Sequence, residues 1–219
     1  MKLIKSTTTS RNAPRGSAAR PLLAPANVRL GTDAPFVPGR LWTDDELLEL
    51  GSDTDTKYEL WNGRIIGMPP AGLKHGAVIA RLMVAIGSHA YEHRLGEVFD
   101  GQTGFRLSID HCFEPDISFI SRERMKLVAP LSEKLFHGSP NLAVEVLSPS
   151  DSITKTERKM KLYLVHGSHL AWMIDPKTKT ARIYRPNGES ELLRGDQMLV
   201  GNSVLPGFRI SLSRLFVEI

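Results

Sequence analysis

Two short segments typical of β-strands each carry a carboxylate where a purely structural strand would have an apolar or neutral residue. Asp116 opens the segment 116–120, and Glu145 lies inside the apolar segment 142–147. Burying a carboxylate costs free energy unless a cation or hydrogen bonds satisfy it. Two such acids on neighbouring strands supply the hard oxygen ligands that Mg²⁺ accepts. The pattern predicts metal-assisted hydrolysis, with a phosphodiester as the first substrate to consider.

Each acid taken alone also has a structural explanation. Asp116 could be a strand-start acid that accepts hydrogen bonds from the local backbone. Glu145 could form a buried ion pair, with Lys159 as its partner. The two acids together favour the metal site, whereas a protein in which both join buried ion pairs would have a structural or assembly role.

An ordered set of short motifs extends this pattern over residues 41–216. Its members are Tyr58-Glu59-Leu60, Asn62-Gly63, Lys74-His75-Gly76, Pro115-Asp116, the segment 144–150 (VEVLSPS), Lys159 with Tyr163, and the segment 172–176 (WMIDP). This ordered set resembles the Uma2 family of endonucleases, a branch of the PD-(D/E)XK, or restriction-endonuclease-like, superfamily. The resemblance implies a Mg²⁺ cofactor, for which Mn²⁺ could substitute, a nucleic acid substrate, in the first place DNA, and a homodimer.

The resemblance also assigns the site. It implies that Asp116 and Glu145 are catalytic metal ligands and that the carbonyl of Val146 is a third ligand. Glu59 matches an upstream glutamate of the family and would hold a second metal ion or a metal-bound water. The alternative for Glu59 is an acid on the hairpin face that is paired across the strands.

The chain departs from the superfamily signature at Leu147, where a lysine two residues after Glu145 is expected. The resemblance implies that Lys159, on the following helix, replaces it and orients the attacking water or stabilises the phosphate. Tyr163 lies four residues later on the same helix face and is a candidate substrate contact. Lys155, one turn earlier, is the second candidate for the lysine role; either lysine could instead be a solvated helix residue.

Other polar residues are weaker candidates. Lys74 and His75 stand at a predicted helix start, where free N–H groups favour anions, so they could contact a phosphate; a helix-capping histidine is the alternative. His89 and His93 have the spacing of a zinc pair but lack the glutamate of an HExxH motif. Asp175 precedes a proline and is typical of a turn.

Composition predicts one globular domain with an added tail. The chain has 219 residues and a net charge of +4, but residues 1–40 hold seven Lys or Arg and one Asp, so the remainder carries −2. We expect residues 1–40 to be a disordered or extended basic tail, which could also hold nucleic acid phosphates, and 41–219 to be the nuclease-like domain. Cys112 is the only cysteine, no apolar run spans a membrane, and no signal peptide is recognisable, so we expect a cytoplasmic protein.

The order of elements predicts an α/β fold in which one mixed β-sheet is flanked by helices, as in the resembled superfamily. Thr43 and Glu46 form a capping box, and Asn62-Gly63 is a hairpin turn signal. Residues 121–140 should form a short helix or a mobile flap. Helices are predicted at about 43–50, 73–94 and 152–166, and strands at 57–61, 64–68, 98–102, 104–109, 115–120, 142–147, 170–174, 181–185 and 191–193, with 206–210 closing the fold. In the helix 152–166, Ile153, Met160 and Leu164 should point inward.

The sequence therefore leads to a metal-dependent endonuclease as the first hypothesis. A catalytically weak or inactive nuclease-fold module that binds DNA or protein is the second, since Leu147 replaces the signature lysine and the body is slightly acidic.

Overall fold

The computed structural model describes residues 40–52 and 56–218. The predicted tail lies outside them, so its conformation and the boundary at residue 40 stay predictions. The helices are α1 Asp44–Ser52, α2 Leu73–Glu92, α3 Arg122–Val128, α4 Ile153–Val165 and α5 Leu212–Leu215. The strands are β1 Lys57–Trp61, β2 Arg64–Met68, β3 Gly96–Phe99, β4 Phe105–Ser108, β5 His111–Phe113, β6 Ile117–Ser121, β7 Phe136–His137, β8 Leu142–Val146, β9 Leu170–Asp175, β10 Thr180–Tyr184, β11 Ser190–Leu193, β12 Met198–Val200 and β13 Arg209–Ser211.

The mixed α/β class is confirmed, but the expectation of one sheet is wrong. A six-stranded sheet has the order β11-β10-β9-β8-β6-β3, a five-stranded sheet has the order β2-β1-β5-β4-β7, and β12 pairs with β13. The β8–β9 pair is parallel because α4 crosses over between them, whereas β6 and β8 are antiparallel. The hairpin joins a second sheet because β1 pairs with β5, a short strand that the sequence did not reveal.

The local signals for the first elements are confirmed. Thr43 Oγ1 accepts a 3.2 Å hydrogen bond from the Glu46 N–H, and the Glu46 side chain accepts a 2.9 Å bond from the Thr43 N–H, which together form the predicted capping box. Asn62 and Gly63 have φ angles of 46° and 76°, as a type I′ hairpin turn requires. The turn fixes the register of β1 against β2 and thereby the face on which each hairpin side chain lies.

The six-stranded sheet is covered on both faces. On one face α2 buries Val78, Leu82, Ile86 and Ala90, and on the other α4 buries Met160 and Tyr163. Alternation along β8 sends Val144 and Val146 to the α2 side and Ala143 to the α4 side. Glu145 therefore faces α4.

Helix α4 corrects one detail of the predicted burial. Met160 is buried and Leu164 is half-buried, but Ile153 is 54% exposed. Ile153 is the first residue of the helix, and the buried residues of α4 begin only at Lys159, so the first turn does not pack against the sheet. The side chains that share the buried face include Lys159 and Tyr163, which brings two polar groups of the sequence motif to the inside of the molecule.

The remaining differences are small elements. Residues 121–140 contain α3 and the two-residue strand β7, and the end of the chain adds the β12–β13 pair and α5. Within the part of the chain that the structure describes, no helix is long and apolar enough to cross a membrane.

Candidate active site

A cavity of about 480 Å³ opens where β8 ends, beside the β1–β2 hairpin and the first turns of α2 and α4. Its charged lining residues are Lys57, Glu59, His75, Asp116, Glu145, Asp151, Lys155 and Lys159. The segment 68–71, which links the hairpin to α2, adds an apolar wall. The cavity thus gathers nearly all residues that the sequence singled out.

The register of β6 against β8 explains how the two strand acids meet. Ile117 lies opposite Val144 and Ser118 opposite Ala143, so the same antiparallel register sets Asp116 opposite Glu145. Residues directly opposite each other in an antiparallel pair project to the same face of the sheet. Both carboxylates line the cavity, as expected for a shared site.

Asp116 is held by a backbone N–H and by two basic side chains. Its Oδ2 accepts a 2.8 Å hydrogen bond from the Val146 N–H and lies 3.4 Å from His75 Nε2, and its Oδ1 lies 3.8 Å from Lys57 Nζ. Burial would raise the pKa of Asp116, but the His75 hydrogen bond, the Lys57 charge and the backbone bond together hold it below the ordinary value. Asp116 is therefore ionised at neutral pH.

The contact with Asp116 also changes the pKa of His75. It lies in the first turn of α2, and its ring faces the cavity. Burial would lower the pKa of His75, but the hydrogen bond and the charge of Asp116 raise it above the ordinary value. The contact thus favours the protonated imidazolium.

Glu145 faces α4 and receives two donors on one oxygen. Lys159 Nζ lies 2.7 Å from Glu145 Oε1, and the Tyr163 hydroxyl donates a 2.8 Å hydrogen bond to the same atom. Burial, together with the charges of Asp116 and Glu59, raises the pKa of Glu145 to about 7, although Lys159 opposes the shift. Among the described residues none donates to Oε2, so this second oxygen has no protein donor of its own.

Glu59 occupies the opposite side of Lys159. Its Oε1 contacts Lys159 Nζ and accepts a 3.2 Å bond from the Glu114 N–H, and its Oε2 accepts a 3.0 Å bond from Trp61 Nε1. Burial would raise the pKa of Glu59, but the charges of Lys159 and Lys57 and these bonds lower it. Glu59 is therefore satisfied by Lys159, the Glu114 N–H and Trp61, and not by a partner across the hairpin strands.

Lys159 bridges the two glutamates. Its residue is 4% exposed, and Glu59 and Glu145 are 2% and 8% exposed, so the three charges are buried together. Burial would lower the pKa of Lys159, but the two carboxylates raise it well above the ordinary value. The alternative that treats Lys159 as a solvated helix lysine is excluded by this burial.

The remaining residues that the sequence singled out differ in whether they reach the cavity surface. Lys155 is exposed and stands 5.1 Å from the Trp61 ring centroid at the cavity lining. Leu147 also lines the cavity, at the position where the signature has a lysine. Lys74 is exposed and lies outside the lining, and Tyr163 is wholly buried with its hydroxyl on Glu145, so the structure brings neither to the cavity surface.

The oxygen atoms of two carboxylates and one backbone carbonyl are the type of ligand that a hard divalent cation prefers. Asp116 and Glu145 supply carboxylate oxygens that face one cavity. The N–H and the C=O of one strand residue point to the same edge of the strand. The Val146 N–H donates to Asp116, so the Val146 carbonyl also points toward the Asp116 side of β8. In the described ranges, no group of three or more His, Cys, Asp or Glu side chains could hold a metal ion, so a cation here would have to bind the two carboxylates and a backbone carbonyl.

The histidine pair on α2 has another arrangement. The rings of His89 and His93 stack with centroids 4.3 Å apart, His89 Nε2 bonds the Pro206 carbonyl oxygen and His93 Nδ1 bonds the carbonyl oxygen of His89. Asp175 accepts bonds from backbone N–H groups of the following turn, as its position before a proline predicted.

Sequence reasoning missed several residues of the cavity wall, and two of them, Lys57 and Trp61, lie on β1. The available signal was their spacing, because residues two apart on a strand share a face with Glu59. It also missed the half-buried Glu114 beside the site; its partial burial, with the charge of Glu59 as a further cause, raises the pKa of Glu114 to about 7.

Comparison with known proteins places the chain in a family described as nucleases. The Uma2 family, described as "Putative restriction endonuclease", matches residues 44–213. A crystal structure of a "putative nuclease belonging to DUF820" from Anabaena variabilis ATCC 29413 is 28% identical, with a TM-score of 0.67 over 78% of this chain and 97% of that chain. No curated protein matched the sequence.

Proposed function

The chain belongs to the Uma2 family, and from that membership we propose that it is a metal-dependent endonuclease that hydrolyses phosphodiester bonds of DNA. The observation that carries the proposal is the convergence of Asp116, Glu145, Glu59 and Lys159 at one cavity, in the order of the family motifs. The likeness to a solved protein described as a nuclease supports the same reaction class.

Asp116, Glu145 and the Val146 carbonyl would hold the cation, with Mg²⁺ as the expected ion and Mn²⁺ as a substitute. When bound there, the cation would lower the pKa of a water molecule and offset the charge of the phosphate. Asp116 is prepared for this role because its donors keep it ionised. Glu145 is prepared because one of its oxygens is fixed by Lys159 and Tyr163 while the other has no donor among the described residues.

The reaction consumes one water molecule. The water oxygen forms a new bond to phosphorus while one P–O ester bond breaks. The proton of the water is transferred, by way of solvent, to the departing oxygen, so the products are a phosphate monoester and a free hydroxyl. Lys159 holds Glu59 and Glu145 in position and keeps Glu59 ionised, and His75 offers a protonated donor beside Asp116 for a phosphate oxygen.

The decisive experiment is cleavage of supercoiled and single-stranded DNA with and without Mg²⁺. We expect nicking or linearisation that EDTA abolishes, and its loss in Glu145→Ala. Thr178→Ala, at an exposed turn away from the cavity, is the matched control and should cleave at the wild-type rate. If wild-type protein cleaves neither substrate with Mg²⁺ or Mn²⁺, the nuclease proposal fails.

A module that binds nucleic acid without cutting it is the second candidate. The observation that favours it is Leu147, an apolar side chain at the cavity position where the superfamily signature has a lysine. Retained DNA binding in a wild-type protein that shows no cleavage with either cation would select this candidate.

The two-fold symmetry of duplex DNA would suit a homodimer that cuts both strands, and we propose that state for the active protein. One chain has a mass of 24.3 kDa, so light scattering should give about twice that value at micromolar concentration. A monomeric mass under the conditions of cleavage would contradict it.

A further inference from the structure

Lys57 is a cavity cation that the sequence analysis did not single out. It is the first residue of β1 and shares a strand face with Glu59 and Trp61, and all three line the cavity. Glu59 and Trp61 are nearly wholly buried and bonded to each other, whereas the Lys57 side chain keeps 25% of its exposure. The hairpin therefore brings to the cavity a lysine that can still reach a solvent-borne ligand.

The contacts of Lys57 and Lys159 differ in kind. Lys57 Nζ is 3.8 Å from Asp116 Oδ1, which is longer than a hydrogen bond, so the two groups interact only electrostatically. Lys159 contacts Glu59 and Glu145 at hydrogen-bonding range, and its side chain is 6% exposed. An ammonium group enclosed by two carboxylates has little net positive charge to offer a third anion.

We infer that Lys57 contacts the scissile phosphate and stabilises the charge that develops on it, whereas Lys159 is a positioning residue for Glu59 and Glu145. The inference rests on the proposed nuclease function and adds a catalytic residue to it. A lysine side chain has a flexible four-carbon stem, so a small rotation carries the Lys57 ammonium from Asp116 to a neighbouring phosphate oxygen. The hairpin then supplies the positive charge that Leu147 does not.

Lys155 provides a comparison within the same cavity. It is exposed, lies over the Trp61 ring, and belongs to the first turn of α4. Its charge acts on the approach of the substrate, so Lys155→Met should raise KM more than it lowers kcat. Lys57→Met should show the opposite split, because its contact strengthens in the transition state.

The test compares Lys57→Met and Lys57→Arg with Lys161→Met, an exposed lysine on α4 outside the cavity. Loss of one charge-stabilising donor lowers kcat by about 10²–10³-fold, and Lys57→Arg should recover part of that loss. Mg²⁺ affinity measured by calorimetry should stay equal or rise in Lys57→Met, because a cation that competes for Asp116 is gone. In EDTA, anisotropy of a labelled oligonucleotide should show weaker binding by Lys57→Met than by Lys161→Met.

The outcomes separate the two proposals. A wild-type kcat in Lys57→Met, with an active wild-type protein, overturns the role of Lys57 and leaves the nuclease function standing. A loss of Mg²⁺ affinity in Lys57→Met would make it a structural support of the metal site and would also overturn the inference. If wild-type protein does not cleave, the nuclease function fails, and unchanged oligonucleotide binding by Lys57→Met in EDTA rejects the phosphate contact as well.

Discussion

The Tyr163 hydroxyl donates its hydrogen bond to Glu145 Oε1, the oxygen that already faces α4, and not to Oε2. The bond therefore fixes the orientation of the carboxylate without occupying Oε2, which has no donor among the described residues. Tyr163 itself is wholly buried against Phe113, with ring centroids 5.7 Å apart. A phenol inside the core thus connects the packing of α4 to the geometry of the proposed metal site.

Tyr163→Phe should lower Mg²⁺ affinity or cleavage rate by about tenfold, the low end of what loss of a group that orients a metal ligand costs. The phenyl ring fills the same space, so the fold should persist. Calorimetric Mg²⁺ titration and initial cleavage rates measure the effect. Tyr184→Phe, which removes a longer 3.4 Å bond to Glu157, is the control and should leave both unchanged. Equal behaviour of the two variants would show that Tyr163 does not orient Glu145.

The buried Glu59–Lys159–Glu145 bridge makes a prediction about stability. Lys159→Met leaves two carboxylates buried without their cation, so the free energy of unfolding should fall by about 3–5 kcal/mol. Urea denaturation followed by circular dichroism measures the change.

The double variant Lys159→Met, Glu59→Gln serves as the control for this bridge. Removing one of the two uncompensated charges should recover part of the lost free energy of unfolding. The amide that replaces the Glu59 carboxylate is neutral and can still accept and donate hydrogen bonds. Additive effects of the two substitutions, within about 0.5 kcal/mol, would mean that the charges are not coupled.

The sequence predicted those parts of the fold and site that depend on local spacing. The Thr43–Glu46 capping box and the Asn62-Gly63 turn follow from residues a few positions apart, and the helix that carries Lys159 follows from its own apolar spacing. Lys57 could not be assigned in this way, because its partner Asp116 lies 59 positions further along the chain, just before β6 of the six-stranded sheet, whereas Lys57 is on β1 of the five-stranded sheet. Pairing between distant strands decides that contact.

The division into several sheets was missed for a related reason. Strand β5 is three residues long and pairs with β1 through one register position, Leu60 opposite Cys112. So short a run has too few residues to show the alternation by which a strand is recognised in a sequence. That pairing nevertheless holds the hairpin, and with it Glu59 and Lys57, in a sheet separate from the one that carries Glu145.

Glu114 predicts how stability depends on pH. Burial raises its pKa to about 7, above the ordinary value of 4.5. The unfolded chain therefore releases this proton at a lower pH than the folded protein does, so the contribution of Glu114 to stability falls as pH rises from about 4.5 to 7. Glu114→Gln should be more stable than wild type at pH 8, by up to about 3 kcal/mol, and should gain little at pH 4.5.

Thermal unfolding at several pH values tests this prediction, with Glu97→Gln as the control because Glu97 is exposed on β3. The control should shift the melting temperature by the same small amount at every pH. A gain for Glu114→Gln that does not grow between pH 4.5 and pH 8 would contradict the raised pKa.

The basic tail makes the last prediction, which concerns binding and not cleavage chemistry. Residues 1–38 contain six Lys or Arg and one Asp, whereas Arg40 bonds Glu46 and stacks on Trp42 in the described part of the chain. If the six cations contact phosphates, deletion of 1–38 should weaken DNA binding and reduce the slope of log K against log salt by up to about five units. The cavity residues are untouched, so kcat at saturating DNA should remain. Anisotropy titrations between low and moderate salt give the slope, and a variant with the six cations replaced by Gln separates charge from length. An unchanged slope in both variants would mean that the tail makes no phosphate contact and that the domain binds DNA through its own surface.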